Sequence, residues 1–277
     1  MRKRERNKGR IVLVTGVSSG IGRSIAEYLG SNGEIVYGAS RSKVESPLFR
    51  WVEMDVTSDE SVRDVVERIV SEQGRLDVLI NNAGNGIAGS VEETSLQDVK
   101  YQFEINFFGT VRLTQSVLRQ MRGQRSGLIL NITSLAGKIG LPFQAFYSSS
   151  KFALEGFADA LRLEVSPFNI RVVNILPGDF ATNFTANRQV SSVSKCSQSP
   201  YNKSFTTAMK RVEFDELNGS QPILIARLVM KIINQRNPKG RYVVGCLAQR
   251  SSLLLKSVLP CKLFDQSLRA YYGMKNR

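Results

Sequence analysis

From Ile11 to Gly22 the chain reads IVLVTGVSSGIG, a short β-branched and apolar run that breaks into a turn punctuated by Gly16, Gly20 and Gly22. A continuous apolar run of this length reads as a strand buried on both faces. Directly after it, from about Gly20 to Gly30, Ile21, Ile25, Ala26 and Leu29 fall on one helical stripe. This strand, turn and helix constrain the fold more than any other feature, because the same order then repeats along the chain.

Glu34 to Ser40 and Trp51 to Asp55 read as further strands, joined through Arg41 to Arg50, which holds Pro47 and is too short for a crossover helix. Asp59 to Gln73 carries Val62, Val65, Val66, Ile69 and Val70 at helical spacing, and Leu76 to Asn81 is the next strand. Beyond it the pattern predicts helices over Leu96 to Met121, Ala145 to Val165 and Ile223 to Gln235. It predicts strands over Leu128 to Ser134, Ile170 to Leu176 and Arg241 to Gly245. Seven short apolar strands separated mostly by helices imply one doubly wound, Rossmann-type α/β domain, with a mostly parallel sheet covered on both faces. That domain is expected over residues 10–277, behind a basic tail of residues 1–9. Within it, residues 179–221 look long and irregular, yet Phe180, Phe184, Tyr201, Phe205, Met209 and Phe214 interleave the polar residues, which predicts a substrate lid. Residues 247–277 form a C-terminal extension.

Composition removes several kinds of chemistry. Histidine is absent, which excludes Ser-His-Asp and Cys-His catalysis, zinc sites with His ligands and histidine pH switching. Cys196, Cys246 and Cys261 are far apart and form no CxxC pair, so a reducing cytoplasm is the expected setting and no metal site is expected. The run Ile11 to Val14 is too short for the apolar core of a secretion signal, and no stretch is apolar for long enough to predict a spanning helix. Lysine and arginine outnumber acidic residues 38 to 24, giving +14, with Arg2, Lys3, Arg4, Arg6, Lys8 and Arg10 in the opening. No nucleic-acid recognition module accompanies that charge, so the tail is read as a solvated flap and no nucleic-acid partner is expected.

The glycine turn places backbone amides and a helix N-terminus where they can hold a pyrophosphate, which points to a dinucleotide site. Its spacing, GxxxGxG over Gly16 to Gly22, differs from GxGxxG. Asn81-Asn82-Ala83-Gly84 follows the fourth strand, Ser134 the fifth, and Tyr147 and Lys151 stand four apart on one helix face. With these motifs in this order, the chain resembles the short-chain dehydrogenase/reductase family over approximately residues 10–246. The segments YSSSKFALEGFADALRLEV and PGDFAT are most similar to its hydroxysteroid and retinol dehydrogenase-like branch.

An ammonium one helical turn from a phenol favours the phenolate, so Lys151 is expected to lower the pKa of Tyr147 from about 10. The resemblance implies hydride transfer between a nicotinamide and a carbonyl or carbinol carbon. In it Tyr147 moves the proton on oxygen, Ser134 hydrogen-bonds that oxygen, Lys151 also holds the nicotinamide ribose, and Asn106 supports a proton-relay water. Asn106, set among Phe103, Ile105, Phe107 and Phe108, also admits a purely structural hydrogen bond. The implied cofactor contacts are Thr15, Gly16, Ser18, Ser19, Gly20, Ile21 and Gly22 in the turn, and Ser40 and Arg41 after the second strand. Asp55 and Val56 would border the adenine, Asn82, Ala83 and Gly84 the cleft, and Pro177, Gly178 and Thr182 the carboxamide.

An acidic residue at the end of the second strand would bond the ribose 2′-hydroxyl of NAD, whereas Ser40-Arg41 suits a 2′-phosphate. NADP(H) is therefore expected over NAD(H), with Ser18 as a second phosphate contact. Leu135, Leu141, Phe143, Phe146, Phe180 and Phe184 offer an apolar wall beside Ser134 and Tyr147, although the same residues also suit ordinary core. Such a wall predicts a bulky hydrophobic alcohol or ketone, steroid-, retinoid- or lipid-like. The apolar residues between Ser251 and Tyr272, interrupted by Pro260, suit packing over the cleft or a subunit interface better than a peripheral membrane contact. The resemblance further implies a homodimer or homotetramer through Leu96 to Met121 and Ala145 to Val165. A second reading keeps the fold and cofactor in a redox sensor without turnover, and the complete set Asn106, Ser134, Tyr147 and Lys151 argues against it.

Overall fold

The computed structural model describes residues 9–274, so residues 1–8 of the basic tail and 275–277 of the C-terminal extension lie outside it. The first elements are Ile11–Thr15 (β1), Gly20–Ser31 (α1), Ile35–Ser40 (β2), Arg50–Glu53 (β3), Asp59–Gln73 (α2) and Val78–Asn81 (β4), with no helix between β2 and β3. The middle of the chain adds Ile87–Ala88 (β5), Leu96–Phe103 (α3), Gly109–Gln124 (α4), Gly127–Ile132 (β6), Ala145–Val165 (α5) and Ile170–Pro177 (β7). Phe184–Asn187 (α6), Gln189–Val190 (β8), Ser192–Lys195 (α7), Asn202–Leu217 (α8) and Ile223–Asn234 (α9) follow, then Arg241–Val244 (β9), Leu247–Val258 (α10) and Cys261–Tyr271 (α11).

Seven strands form one parallel sheet in the order β3-β2-β1-β4-β6-β7-β9. Along β1, Ile11 and Leu13 pack into the layer of α2, α4 and α5, while Val12 and Val14 pack against α1 and α9. Helices on both faces explain why the central strands are mostly apolar runs rather than alternating ones. The winding direction reverses between β1 and β4, and the carboxyl ends of those strands open the crevice where such sheets bind ligands.

A polar stitch crosses this apolar sheet. Asn81 Nδ2 donates to Asn131 Oδ1 at 2.9 Å, Asn131 Nδ2 to Asn174 Oδ1 at 3.0 Å, and Asn174 Nδ2 to Glu155 Oε1 at 2.8 Å. The three asparagines stand at matching register on β4, β6 and β7. Glu155, buried on α5, also accepts from Thr133 Oγ1 at 2.9 Å and pairs with Arg241 at 2.7 Å. The chain of bonds links β4, β6 and β7 to α5 and leaves Asn81 Oδ1, at its far end, without a partner.

Two expectations are corrected. The helix predicted over Leu96 to Met121 is α3 and α4 joined by a π-helical segment, Glu104–Phe108. There Asn106 is fully buried while Phe108 is 47% exposed, the reverse of an apolar face broken by one polar residue. A fixed 3.6-residue period cannot register the wider turn. Residues 179–221 are also not irregular: they contain α6, β8, α7 and the long α8, and β8 pairs parallel with β5. The buried stripe of α8 is only Phe205, Ala208, Met209 and Val212, diluted by polar neighbours, and it forms a separate small core with Ala88 and Tyr272.

Candidate active site

The turn between β1 and α1 depends on two kinds of glycine. Gly16 and Gly20 adopt φ of +71° and +60°, in the left-handed region that disfavours a side chain. Gly22 is needed for close approach, since a Cβ there would lie 2.3 Å from both Asn82 Nδ2 and Gly16 O. Thr15 Oγ1 accepts from the backbone amides of Asn82 and Ala83 at 3.0 and 2.9 Å. Asn82 Nδ2 returns hydrogen bonds to Thr15 O and Gly16 O at 2.9 and 3.2 Å. The two strand ends, far apart in the chain, are therefore locked together by hydrogen bonds. The Ser19 side chain caps no amide of α1, and no acidic residue lies in its first turn. Unpaired amides and a positive helix end suit a pyrophosphate, so these residues fit a dinucleotide.

A cleft of about 790 Å³ runs from this turn across the strand ends to the helical cap. Of the expected cofactor residues, Gly16, Ser18, Ser19, Gly20, Ile21, Asn82, Ala83, Gly84, Pro177, Gly178 and Thr182 line it. Thr15 and Gly22 stand behind the turn as its braces. The Ser40 hydroxyl donates to Ser42 O at 2.8 Å and accepts from Trp51 Nε1 at 3.0 Å, which leaves Arg41 as the exposed group at the end of β2. Asp55 Oδ1 accepts from Thr57 N and Oγ1 at 2.9 and 2.8 Å, and Val56 is buried beside it.

Ser134, Tyr147 and Lys151 converge in the cleft. Ser134 follows β6, and its hydroxyl accepts from Ala136 N at 3.0 Å and shares a hydrogen bond with Tyr147. Tyr147 lies in the first turn of α5, and Lys151 Nζ sits 5.8 Å from the centre of its ring. Lys151 Nζ donates to Ile132 O at 3.1 Å. The expected lowering of the tyrosine pKa is overturned: burial pushes the Tyr147 phenol up to about 12, against the opposing hydrogen bond from Ser134. Burial also brings Lys151 down to about 8, so the charge expected to help the phenolate is itself disfavoured. Asn106 does not line the cleft. Its Oδ1 accepts from Asn85 N at 2.9 Å, and its Nδ2 donates to Asn85 O at 3.0 Å and to Ser150 Oγ at 3.1 Å. Those bonds hold the segment after Gly84 against α5.

Leu135, Leu141 and Phe180 line the substrate end, together with Phe184, whose ring centre is 5.7 Å from that of Tyr147. Phe143, expected on this wall, is instead an edge-on partner of Phe205 at 5.4 Å in the cap core, and Phe146 does not line the cleft either. Phe143 takes φ of +60°, in the left-handed region that bulky residues rarely adopt.

Sequence reasoning missed a charged group of residues at the same end. Asp179, Asp215 and Glu216 line the cleft beside Gln249, Tyr271 and Tyr272 of the C-terminal extension. Glu216 pairs with Arg188 and accepts from Thr185 Oγ1 at 2.5 Å. Asp215 pairs with Arg211 at 2.9 Å and accepts from Tyr271 Oη at 2.7 Å. Asp179 accepts from Gln249 Nε2, and its carboxyl is pushed up to about 6, by burial first and then by the charges of Glu216 and Asp215. No local pattern announces these pairs, although Asp179 itself stands inside the PGDFAT segment.

Among the described residues, no helix is long and apolar enough to cross a membrane. The family model described as short chain dehydrogenase matches residues 10–192. A 3-ketodihydrosphingosine reductase from Bacteroides thetaiotaomicron is 45% identical over 266 residues, covering 96% of this chain and 98% of that protein. Retinol dehydrogenase 8 from Bos taurus is 31% identical over 95% of this chain and 88% of its own length. Among solved structures, a short-chain dehydrogenase from Streptomyces avermitilis superimposes with a TM-score of 0.80 at 29% identity, covering 97% of this chain and 99% of that one.

Proposed function

The chain belongs to the short-chain dehydrogenase/reductase family, and from that premise we propose that it reduces the keto group of a long-chain lipid ketone with NADPH. It is an oxidoreductase with an NAD(P)-binding Rossmann fold, acting on CH–OH/C=O groups. The observation that carries the finer reading is the meeting of Ser134, Tyr147 and Lys151 in a cleft that continues from the glycine turn into the helical cap. The name of the Bacteroides relative supports a sphingoid-type ketone, and Leu135, Leu141, Phe180 and Phe184 suit its chain.

When bound, the nicotinamide supplies the hydride. Tyr147 Oη hydrogen-bonds the carbonyl oxygen and gives it a proton, while Ser134 Oγ holds the same oxygen in place. A phenol pushed up by burial keeps its proton at neutral pH, as the acid in a reduction does. In this reading Lys151 holds the nicotinamide ribose, and Asn106 positions the loop after Gly84 rather than touching substrate. Arg41 and Ser18, both exposed beside the turn, would meet a 2′-phosphate. Three exposed free thiols agree with a reducing cytoplasmic setting. Exposed Tyr101, Phe108 and Phe152 on α3, the π segment and α5 support pairing with a second copy of the chain. Turnover of a long-chain ketone with NADPH, lost when the Tyr147 hydroxyl is removed, is the test of this reading.

A further inference from the structure

Among the described residues, the buried side-chain atoms without a hydrogen-bond partner belong to Asn81, Gln144 and Arg188. Asn81 stands in β4, Arg188 is engaged by Glu216 through its remaining nitrogen, and neither lines the cleft. Gln144 does line it, with Nε2 as the orphaned group and only 3% of the residue exposed. It holds the N-cap position of α5, three residues before Tyr147, yet its side chain caps no amide of that helix. Its main chain is tied down, since Gln144 N donates to Leu141 O at 3.2 Å and Ser148 N to Gln144 O at 2.9 Å. The Nε2 group therefore serves no bond of the fold. A buried N–H without an acceptor is unfavourable by itself, and in a substrate cleft a ligand that brings the acceptor explains it. The side chains of Leu135, Leu141 and Phe184, which line the same end, offer none.

We propose that Gln144 is a specificity-determining residue, whose side-chain amide donates to an uncharged oxygen that the ketone carries within a few bonds of its reacting carbonyl. This rests on the reductase reading above and deepens it by naming a residue that separates oxygen-bearing ketones from plain alkyl ketones. With the carbonyl oxygen between Ser134 and Tyr147, an oxygen a few bonds away meets Gln144 at the start of the same helix. Nε2 only donates, so the substrate atom must accept, and an ether oxygen satisfies it as well as a hydroxyl does. A plain chain places a methylene there and leaves the donor unpaired. The two ketones then differ by one hydrogen bond and by the cost of an unmet buried N–H, which is how a polar group in a cleft rejects the analogue that lacks its partner.

The test compares a plain long-chain ketone with analogues of equal length in which an ether oxygen replaces the second, third or fourth methylene on one or the other side of the carbonyl. Each is reduced with NADPH by the unmodified enzyme and by Gln144→Met, which keeps the length of the side chain and removes the amide. For at least one position of the oxygen, the ratio of kcat/KM for the ether ketone to that for the plain ketone is expected to be about tenfold higher in the unmodified enzyme than in the variant. Comparing the two ratios cancels the effect of the oxygen on the carbonyl itself. Gln144→Met should melt no lower than the unmodified protein, because no bond of the fold is removed. Equal ratios in the two proteins at every position overturn the proposal and leave the reductase reading standing. A variant that melts several degrees lower overturns it too, by showing that the amide serves the fold. If no ketone turns over, the reductase reading fails separately, and calorimetric titration with a long-chain alcohol and its ether analogues decides the role of Gln144. Tighter binding of an ether alcohol that is lost in Gln144→Met supports it, and the same preference in both proteins overturns it.

Discussion

The two ends of one cleft are built by different means. At the cofactor end, the turn from Gly16 to Gly22 and the segment from Asn82 to Gly84 are held by glycines, backbone amides and the Thr15 and Asn82 side chains. At the substrate end the contacts are pairs between side chains, such as Gln249 with Asp179, Arg188 with Glu216 and Arg211 with Asp215. A pyrophosphate offers the same oxygens to every such protein, so main-chain amides suffice to hold it. A substrate differs in chain length and charge, so side chains must distinguish it.

The largest effect should come from breaking a side-chain pair at the substrate end. Glu216→Ala removes the partner of Arg188, whose side chain is almost wholly buried and whose Nε and Nη1 already lack acceptors. Leaving that guanidinium uncompensated should lower stability by about 3–5 kcal/mol, read as a shift in the urea unfolding midpoint. An unchanged midpoint would show that the cap does not depend on its ion pairs. The cofactor end should respond differently. Arg41→Asp should leave the unfolding midpoint nearly unchanged and weaken NADPH binding by about ten- to a hundredfold, with NADH affected much less. Equal weakening of both cofactors in a fluorescence titration would remove Arg41 as the residue that chooses between them.

What the sequence discloses follows the same division. The central strands are legible because they are mostly apolar runs, and the turn, Ser134, Tyr147 and Lys151 are legible because their spacing is local or follows strand ends. The asparagine stitch is not, since Asn131 and Asn174 look like isolated polar residues until the order β4, β6, β7 brings them into register. The π segment escapes because the pattern of Phe103 to Phe108 is read on the wrong period. Spacing shows Lys151 near Tyr147 and so predicts a lowered phenol, whereas burial, which spacing does not show, raises it. The charges around Asp179 depend on how α8 and α10 fold over the cleft, and no motif encodes that packing.

A smaller effect sharpens the comparison further. The Asp179 carboxyl is raised from 3.8 to about 6 in the folded protein. The native state therefore holds this proton more tightly than the unfolded chain does, and stability falls as pH rises through that window. Asp179→Asn, which cannot ionise, should melt a few degrees above the unmodified protein above pH 6 and near it below the lower end of the window. A variant that melts lower at every pH would make Asp179 a structural tether instead.

The central claim is that this cleft reduces a lipid ketone with Tyr147 as the acid. The most direct measurement is oxidation of NADPH in the presence of a long-chain ketone by the unmodified protein and by Tyr147→Phe, with NADPH binding titrated for both. The account predicts turnover by the unmodified protein, a loss of about a hundred- to ten-thousandfold in the variant, and similar NADPH affinity in the two. Turnover that survives in Tyr147→Phe, or a protein that does not bind NADPH at all, would contradict it.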